Sequence, residues 1–204
     1  MLQSYRIVGS NCRMIAAVPS EAPELWAAYL EGAMASYRKF GVENALELDE
    51  IRDGTSTSLF LVAVTPDGEV VGGVRAQGPY AVAEQAHAIQ EWEGCEGQDD
   101  VRQMVADRIA DGVVEMKTAW VSDRSPDRKA LTQALARIPL VAVLDLLDVR
   151  YVMATAGTDP VIKLWLTTGG EIATHIPTAP YPSDRYHATL IWWDREALTD
   201  LQAA

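Results

Sequence analysis

Three consecutive pieces constrain this chain more than any other: an apolar, β-branched run from Thr57 to Thr65, the break Pro66-Asp67-Gly68, and a resumed strand pattern from Glu69 to Arg75. They read as a β-hairpin. Pro66 pre-sets φ for the first central position of a type I turn, and Gly68 takes the fourth, where positive φ is often needed. Gly72 and Gly73 fall inside the second strand, where glycine weakens the ladder and leaves nothing to pack. Paired glycines there predict a bulge, or a backbone kept bare for a close neighbour. Gln77-Gly-Pro-Tyr80 then breaks the strand, and helical periodicity follows over 81–92. A second helix is capped at Asp99, carries Val101, Met104, Val105 and Ile109 on one face, and closes at Gly112. Residues 113–121 alternate as a third strand with Glu115 near its start. Hairpin, helical excursion and return strand predict one mixed sheet with those two helices outside it.

The remainder fits around this core. Residues 5–18 alternate loosely as a first strand. Ser20 offers an N-cap to an amphipathic helix carrying Leu25, Tyr29, Leu30, Ala33 and Tyr37 and ending near Gly41. An acidic link, 47–53, leads to the hairpin. After a loop at 122–128, a long apolar helix over 129–149 contains Pro139, which predicts a kink or a split. Residues 150–155 form a strand, Asp159-Pro160 opens a helix to Leu166, and strands over 171–176 and 186–193 close the chain across a link holding Pro177, Pro180 and Pro182.

With 204 residues and no internal repeat, the expected organisation is a single domain over 1–204, able to bury a core without metal or disulfide help. Two cysteines, Cys12 and Cys95, make no disulfide framework and suit a reducing compartment. The longest apolar run, 138–144, is too short to span a bilayer, and Arg6, Asn11 and Arg13 interrupt what would be a signal-peptide core. A cytoplasmic protein without membrane association is expected. Seventeen Lys and Arg against 29 Asp and Glu give a net charge of −12, which repels a phosphate backbone, so nucleic acid is not an expected partner. A small anionic ligand stays compatible, because a local basic loop works inside an acidic protein.

Four pieces carry a family resemblance: Tyr37-Arg38-Lys39-Phe40 followed by Glu47-Leu-Asp-Glu50; Asp67 to Arg75; Val114-Glu115-Met-Lys117; and Tyr181 to Tyr186. In this order and spacing the chain resembles the GNAT superfamily of acyl-CoA N-acyltransferases over nearly its whole length. Within that superfamily it is most similar to the acyl-homoserine-lactone synthases and N-acyl amino acid synthases. The resemblance implies an α/β (α+β) fold with a central mixed, mainly antiparallel sheet flanked by helices. It also implies transfer of an acyl group from acyl-CoA or an acyl carrier protein to the amine of a small acceptor such as an amino acid, coenzyme A being the cosubstrate and no metal taking part. It implies nothing about oligomeric state.

The same resemblance distributes roles. Family members place the thioester phosphates on backbone amides after the Glu115 strand, here from Val121 through Arg124, Arg128 and Lys129. Free amides and the helix dipole favour an anion there by about 0.3–1 kcal/mol at exposed sites. Where many members have a glycine-rich run, this chain has Asp123-Arg-Ser-Pro-Asp-Arg-Lys-Ala130 without glycine. The three cations supply charge in place of bare amides while Asp123 and Asp127 oppose them, so the segment reads as a phosphate site or as a solvated loop. Where many members carry a tyrosine that protonates the leaving thiolate stands Trp165, whose indole has no proton to give near neutrality. Glu115, opposite Arg75, resembles the pair with which autoinducer synthases hold and deprotonate an acceptor; the other reading is a structural ion pair. Arg38 and Asp49 fall at the acceptor-binding positions, although the tryptophan expected ahead of the acidic segment is missing. His87, His175 and His187 have no metal spacing among them and no nucleophile setting. Missing glycines and Trp165 also suit a rival reading, a GNAT-derived binding module that has lost catalysis.

Overall fold

The turn at Thr65–Gly68 closes as its chemistry dictates: the Gly68 N–H donates to Thr65 O at 3.0 Å and Gly68 takes φ 93°. Around it the computed structural model, which describes residues 2–198, places β1 (Gln3–Arg6), β2 (Arg13–Ala17), α1 (Pro23–Phe40), α2 (Leu48–Ile51), β3 (Leu59–Val64), β4 (Val70–Gln77), α3 (His87–Glu91), α4 (Gln98–Ala106), β5 (Val113–Val121), α5 (Arg128–Leu146), β6 (Tyr151–Ala156), α6 (Asp159–Leu166), β7 (Glu171–Ile172), β8 (Ala179–Pro180) and β9 (His187–Asp194). The fold is mixed α/β with a mainly antiparallel sheet flanked by helices. Two compact units divide the chain, Met1–Gln77 with Met116–Ala142 and Gly78–Glu115 with Val143–Ala204, so β5 and α5 each contribute to both.

In the first unit β1, β2, β3 and β4 follow one another as antiparallel neighbours, with Arg13 opposite Val64 and Phe60 opposite Arg75. The end of β5 runs beside β4, where the Ser122 N–H donates to Val71 O at 2.8 Å. Trp26, Tyr29, Leu30 and Ala33 of α1 bury against Phe60, Val62 and Trp120. Removing a side chain such as Phe60 from water contributes about 1.5–3 kcal/mol. The paired glycines serve this packing. A Cβ on Gly73 would lie 2.6 Å from Tyr29 Cδ2 and 2.9 Å from Leu61 O, so the bare backbone admits the tyrosine ring. Across the hairpin the register shifts between Ala63 and Val64, as a bulge requires.

In the second unit β5 starts parallel to β6, with Val113 opposite Tyr151 and Glu115 opposite Met153. Antiparallel β9 runs along β6 from Tyr151↔Asp194 to Ala156↔Thr189, and β7 and β8 add short ladders to β9. Trp92, Val101, Val105, Val113, Met153, Leu190 and Trp192 share its core.

Local chemistry explains where the sequence pattern misleads. The expected first strand is a hairpin of β1 and β2, because Gly9 turns the chain at φ 79°. Ser20 does not cap α1: Pro19–Glu21 forms a 3-10 turn and the helix opens at Pro23, a position that needs no N–H. The stretch over 81–92 is a 3-10 turn at Ala83–Gln85 followed by the five-residue α3, since the Gln85 side chain accepts from the Ala81 N–H at 2.7 Å and draws the chain into a turn. Helix α5 runs through a buried Pro139 as one helix, so of the expected kink or split the split does not occur.

Candidate functional site

Glu115 is the third residue of β5 and only 1% exposed. Its surroundings are set by a close backbone approach. Gly78, at φ 109°, leaves so little room that a Cβ would lie 2.8 Å from Val113 O, and the Tyr80 N–H donates to that same carbonyl at 3.0 Å. This delivers the Tyr80 hydroxyl to Glu115 Oε2, to which it donates at 2.7 Å. The backbone N–H of His87, first residue of α3, donates to the same oxygen at 2.9 Å. A carboxylate that accepts only is thus fixed by two donors.

The i,i+4 step from His87 to Glu91 puts both side chains on one face of α3. His87 Nδ1 lies 3.0 Å from Glu91 Oε1, and Tyr181 stands edge-on to the imidazole with ring centroids 5.9 Å apart. His87, Glu91 and Glu115 are all buried, and one ligating atom from each lies within 4.8 Å of the others. Glu91 Oε2 is buried with no hydrogen-bond partner. Sequence reasoning singled out Glu115 and missed Tyr80, His87 and Glu91. Spacing among the three histidines carries no metal signature; the legible signal was a histidine with a carboxylate four residues on.

Arg75, 1% exposed in β4, donates from Nη1 to Gln77 Oε1 at 3.1 Å, while its Nε is buried without a partner. Arg75 and Glu115 therefore each hold hydrogen bonds within their own unit. Further along β5, Thr118 adopts φ 56°, a strained value for a β-branched residue that costs about 1–3 kcal/mol. Tyr29 Oη donates to its carbonyl at 2.9 Å, and burial pushes the Tyr29 phenol far above its ordinary range. Beside it Lys117 Nζ lies 3.9 Å from Glu47 Oε2.

The loop after Val121 is largely self-neutralised. Asp123 bonds Lys39 and lies 3.1 Å from Arg128; its carboxyl is held below the usual range first by the Lys39 hydrogen bond, with the charges of Lys39 and Arg128 adding to it. Arg124 reaches Glu69 at 3.9 Å. Asp127 accepts from Ser10 Oγ at 2.8 Å, and its carbonyl accepts the Leu131 N–H at 3.0 Å. Exposed Lys129 lines a cavity of about 720 Å³ shared with Arg6, Val8, Gln133, Arg137 and Ile138. Three cations against the one carboxylate of Asp127, beside a helix start whose first amides have no intrahelical acceptor, fit a phosphorylated ligand. Arg38 is exposed in the last turn of α1, and Asp49 makes a solvent-exposed pair with Arg52 at 3.3 Å; neither joins a buried cluster. Trp165 packs edge-on against Trp193 at 5.5 Å.

No protein-family model matches the chain. It is 44% identical over 198 residues to the uncharacterized protein Rv1356c of Mycobacterium tuberculosis and to the uncharacterized protein Mb1391c of Mycobacterium bovis, covering 97% of this chain and 74% of each relative. Among solved structures it resembles the aminoglycoside acetyltransferase AAC(6')-Ib in complex with coenzyme A (14% identity, 93% of this chain and 98% of that one, TM-score 0.56). It also resembles the ribosomal-protein-S5-alanine acetyltransferase of Vibrio fischeri (9%, 95% and 97%, TM-score 0.55). A third likeness is to the CoA-dependent acyl-homoserine lactone synthase BjaI with SAM and isopentyl-CoA (14%, 93% and 86%, TM-score 0.54).

Proposed function

We propose that this chain, which belongs to the family of these mycobacterial proteins and has the fold of GNAT acetyltransferases, transfers an acyl group from an acyl thioester to the amine of a small acceptor. The observation that carries the reading is the buried Glu115 carboxylate at the start of β5, fixed by the Tyr80 hydroxyl and the His87 amide. Support comes also from structural neighbours solved with coenzyme A or an acyl-CoA.

Glu115 takes a proton from the acceptor ammonium, directly or through a water, and the freed lone pair attacks the thioester carbonyl carbon. The attacking nitrogen of the tetrahedral adduct gives its second proton to water, collapse breaks the C–S bond, and the thiolate takes a proton from water, since Trp165 has none to give. Arg75 orients the acceptor, with Arg38 and Asp49 as outer acceptor contacts. Val121, Arg124, Arg128 and Lys129 bind the thioester phosphates, and of these cations Lys129 is the one whose carboxylate competition is weakest. An amino acid is the proposed acceptor, acyl-CoA or an acyl carrier protein the donor, and the cytoplasm the compartment, in one transferase domain.

Pairing of Arg124 with Glu69 and of Arg128 with Asp123, together with Trp165, favours a second reading, a thioester-binding module without turnover. A thiol-release assay over acyl-CoA and acyl carrier protein donors and an amino acid panel separates the two. Release that needs both donor and acceptor supports transfer; calorimetric binding of the thioester without release supports the module.

A further inference from the structure

The cluster of His87, Glu91 and Glu115 lies wholly within the second unit, with exposures of 6%, 6% and 1%. Two carboxyl groups and one imidazole share this interior, and buried charge without compensation is costly. Hydrogen bonding is incomplete as well. Tyr80 and the His87 amide serve Glu115 Oε2, and His87 Nδ1 serves Glu91 Oε1. Glu91 Oε2 is left buried and unpartnered in a group whose ligating atoms lie within 4.8 Å of one another.

We propose that His87, Glu91 and Glu115 form a binding site for one divalent transition-metal ion of the Zn2+ class. A dication balances two carboxylates with a neutral imidazole and gives the orphaned oxygen a partner. One nitrogen and two oxygens suit Zn2+ or Co2+, whereas Ca2+ and Mg2+ demand six or more oxygen ligands or several retained waters. Tetrahedral Zn2+ with bonds of about 2.0–2.2 Å sets its ligand atoms roughly 3.3–3.6 Å apart. The 3.0 Å between His87 Nδ1 and Glu91 Oε1 is a few tenths short of that, and the ligating atoms of all three side chains lie within 4.8 Å of one another. Tyr80, bonded to Glu115, is the outer partner that holds this ligand in orientation. Ion and acceptor compete for Glu115, so bound Zn2+ switches transfer off; that consequence rests on the acyl-transfer reading, whereas the metal site itself does not.

The test uses the full chain freed of metal by a chelator and titrated with ZnCl2 by calorimetry and CoCl2 by visible absorption, with no acyl thioester present. The expected result is one equivalent of Zn2+ and a Co2+ spectrum of a four- or five-coordinate ion. Affinity should fall roughly 10-fold or more in both Glu91→Gln and His87→Gln, and Zn2+ should raise the parent's thermal midpoint. Failure of the parent to bind Zn2+, or unchanged affinity in either folded variant, overturns the site. Should both variants fail to fold, the parent's Co2+ spectrum decides, since a spectrum showing thiolate ligation would put the ion on cysteine and sink the assignment. A negative titration leaves acyl transfer standing, and a protein that binds zinc yet releases no thiol when freed of metal counts against transfer alone.

Discussion

Tyr80 donates its phenolic hydrogen to Glu115 Oε2 at 2.7 Å, 35 residues away along the chain, and both groups are buried. Removing one partner of a buried charge-assisted bond costs about 1.5–3 kcal/mol. Tyr80→Phe should therefore lower the unfolding free energy by that order in a denaturant titration. A variant as stable as the parent would mean the bond contributes nothing net.

The fit of Tyr29 over Gly73 predicts a steric failure. A Cβ at Gly73 would come within 2.6 Å of the ring and 2.9 Å of the Leu61 carbonyl, and neither can retreat far in a packed core. Gly73→Ala should destabilise by about 1–3 kcal/mol, read as a lower urea midpoint. Gly68→Ala, where a Cβ meets nothing within 4 Å, serves as the comparison: its cost is the strain of positive φ without a clash.

Asp194 gives a pH dependence whose sign follows from its partners. The Arg150 hydrogen bond above all, then the Glu196 amide and the Arg150 charge, hold its carboxyl below the ordinary aspartate value. A depressed folded-state pKa contributes stability that is complete above the unfolded value, about 3.9, and is lost as pH falls through the folded value. Asp194→Asn should thus be less stable than the parent near neutrality, and the gap should shrink below about pH 4. A gap that stays constant down to pH 2 would contradict this.

Lys129 should matter more for thioester binding than the arginines that precede it. Arg124 and Arg128 already face Glu69 and Asp123, whereas Lys129 lines the basic cavity with Arg6 and Arg137. Lys129→Ala should weaken coenzyme A binding and flatten its salt dependence, while Arg124→Ala with Arg128→Ala should do so less. The reverse order in calorimetry would move the phosphates to the loop.

Local chemistry explains which features were legible in advance. The Thr65–Gly68 turn, the bare pair Gly72-Gly73 and the start of β5 at Val113 follow from residues adjacent in sequence. The single first strand failed because positive φ at Gly9 is invisible in a loosely alternating pattern, and Ser20 does not cap because α1 opens at Pro23 with Ala22 at the N-cap position. Site residues were harder. His87 and Glu91 carry a readable spacing, yet their meaning depends on Glu115, 28 residues from His87. Neutralisation of the loop after Val121 depends on Lys39, 84 residues from Asp123. Partners that distant leave no mark on either local segment.

The most direct test of the central claim is the rate of thiol release by Glu115→Gln, assayed with chelator present so that metal plays no part, beside thioester affinity and thermal midpoint. The substitution keeps shape and hydrogen bonding but removes the proton acceptor, so turnover should fall by about 10²–10⁴-fold with thioester affinity nearly intact. Transfer at the parent rate by a folded Glu115→Gln protein would contradict the account and leave Glu115 a structural residue.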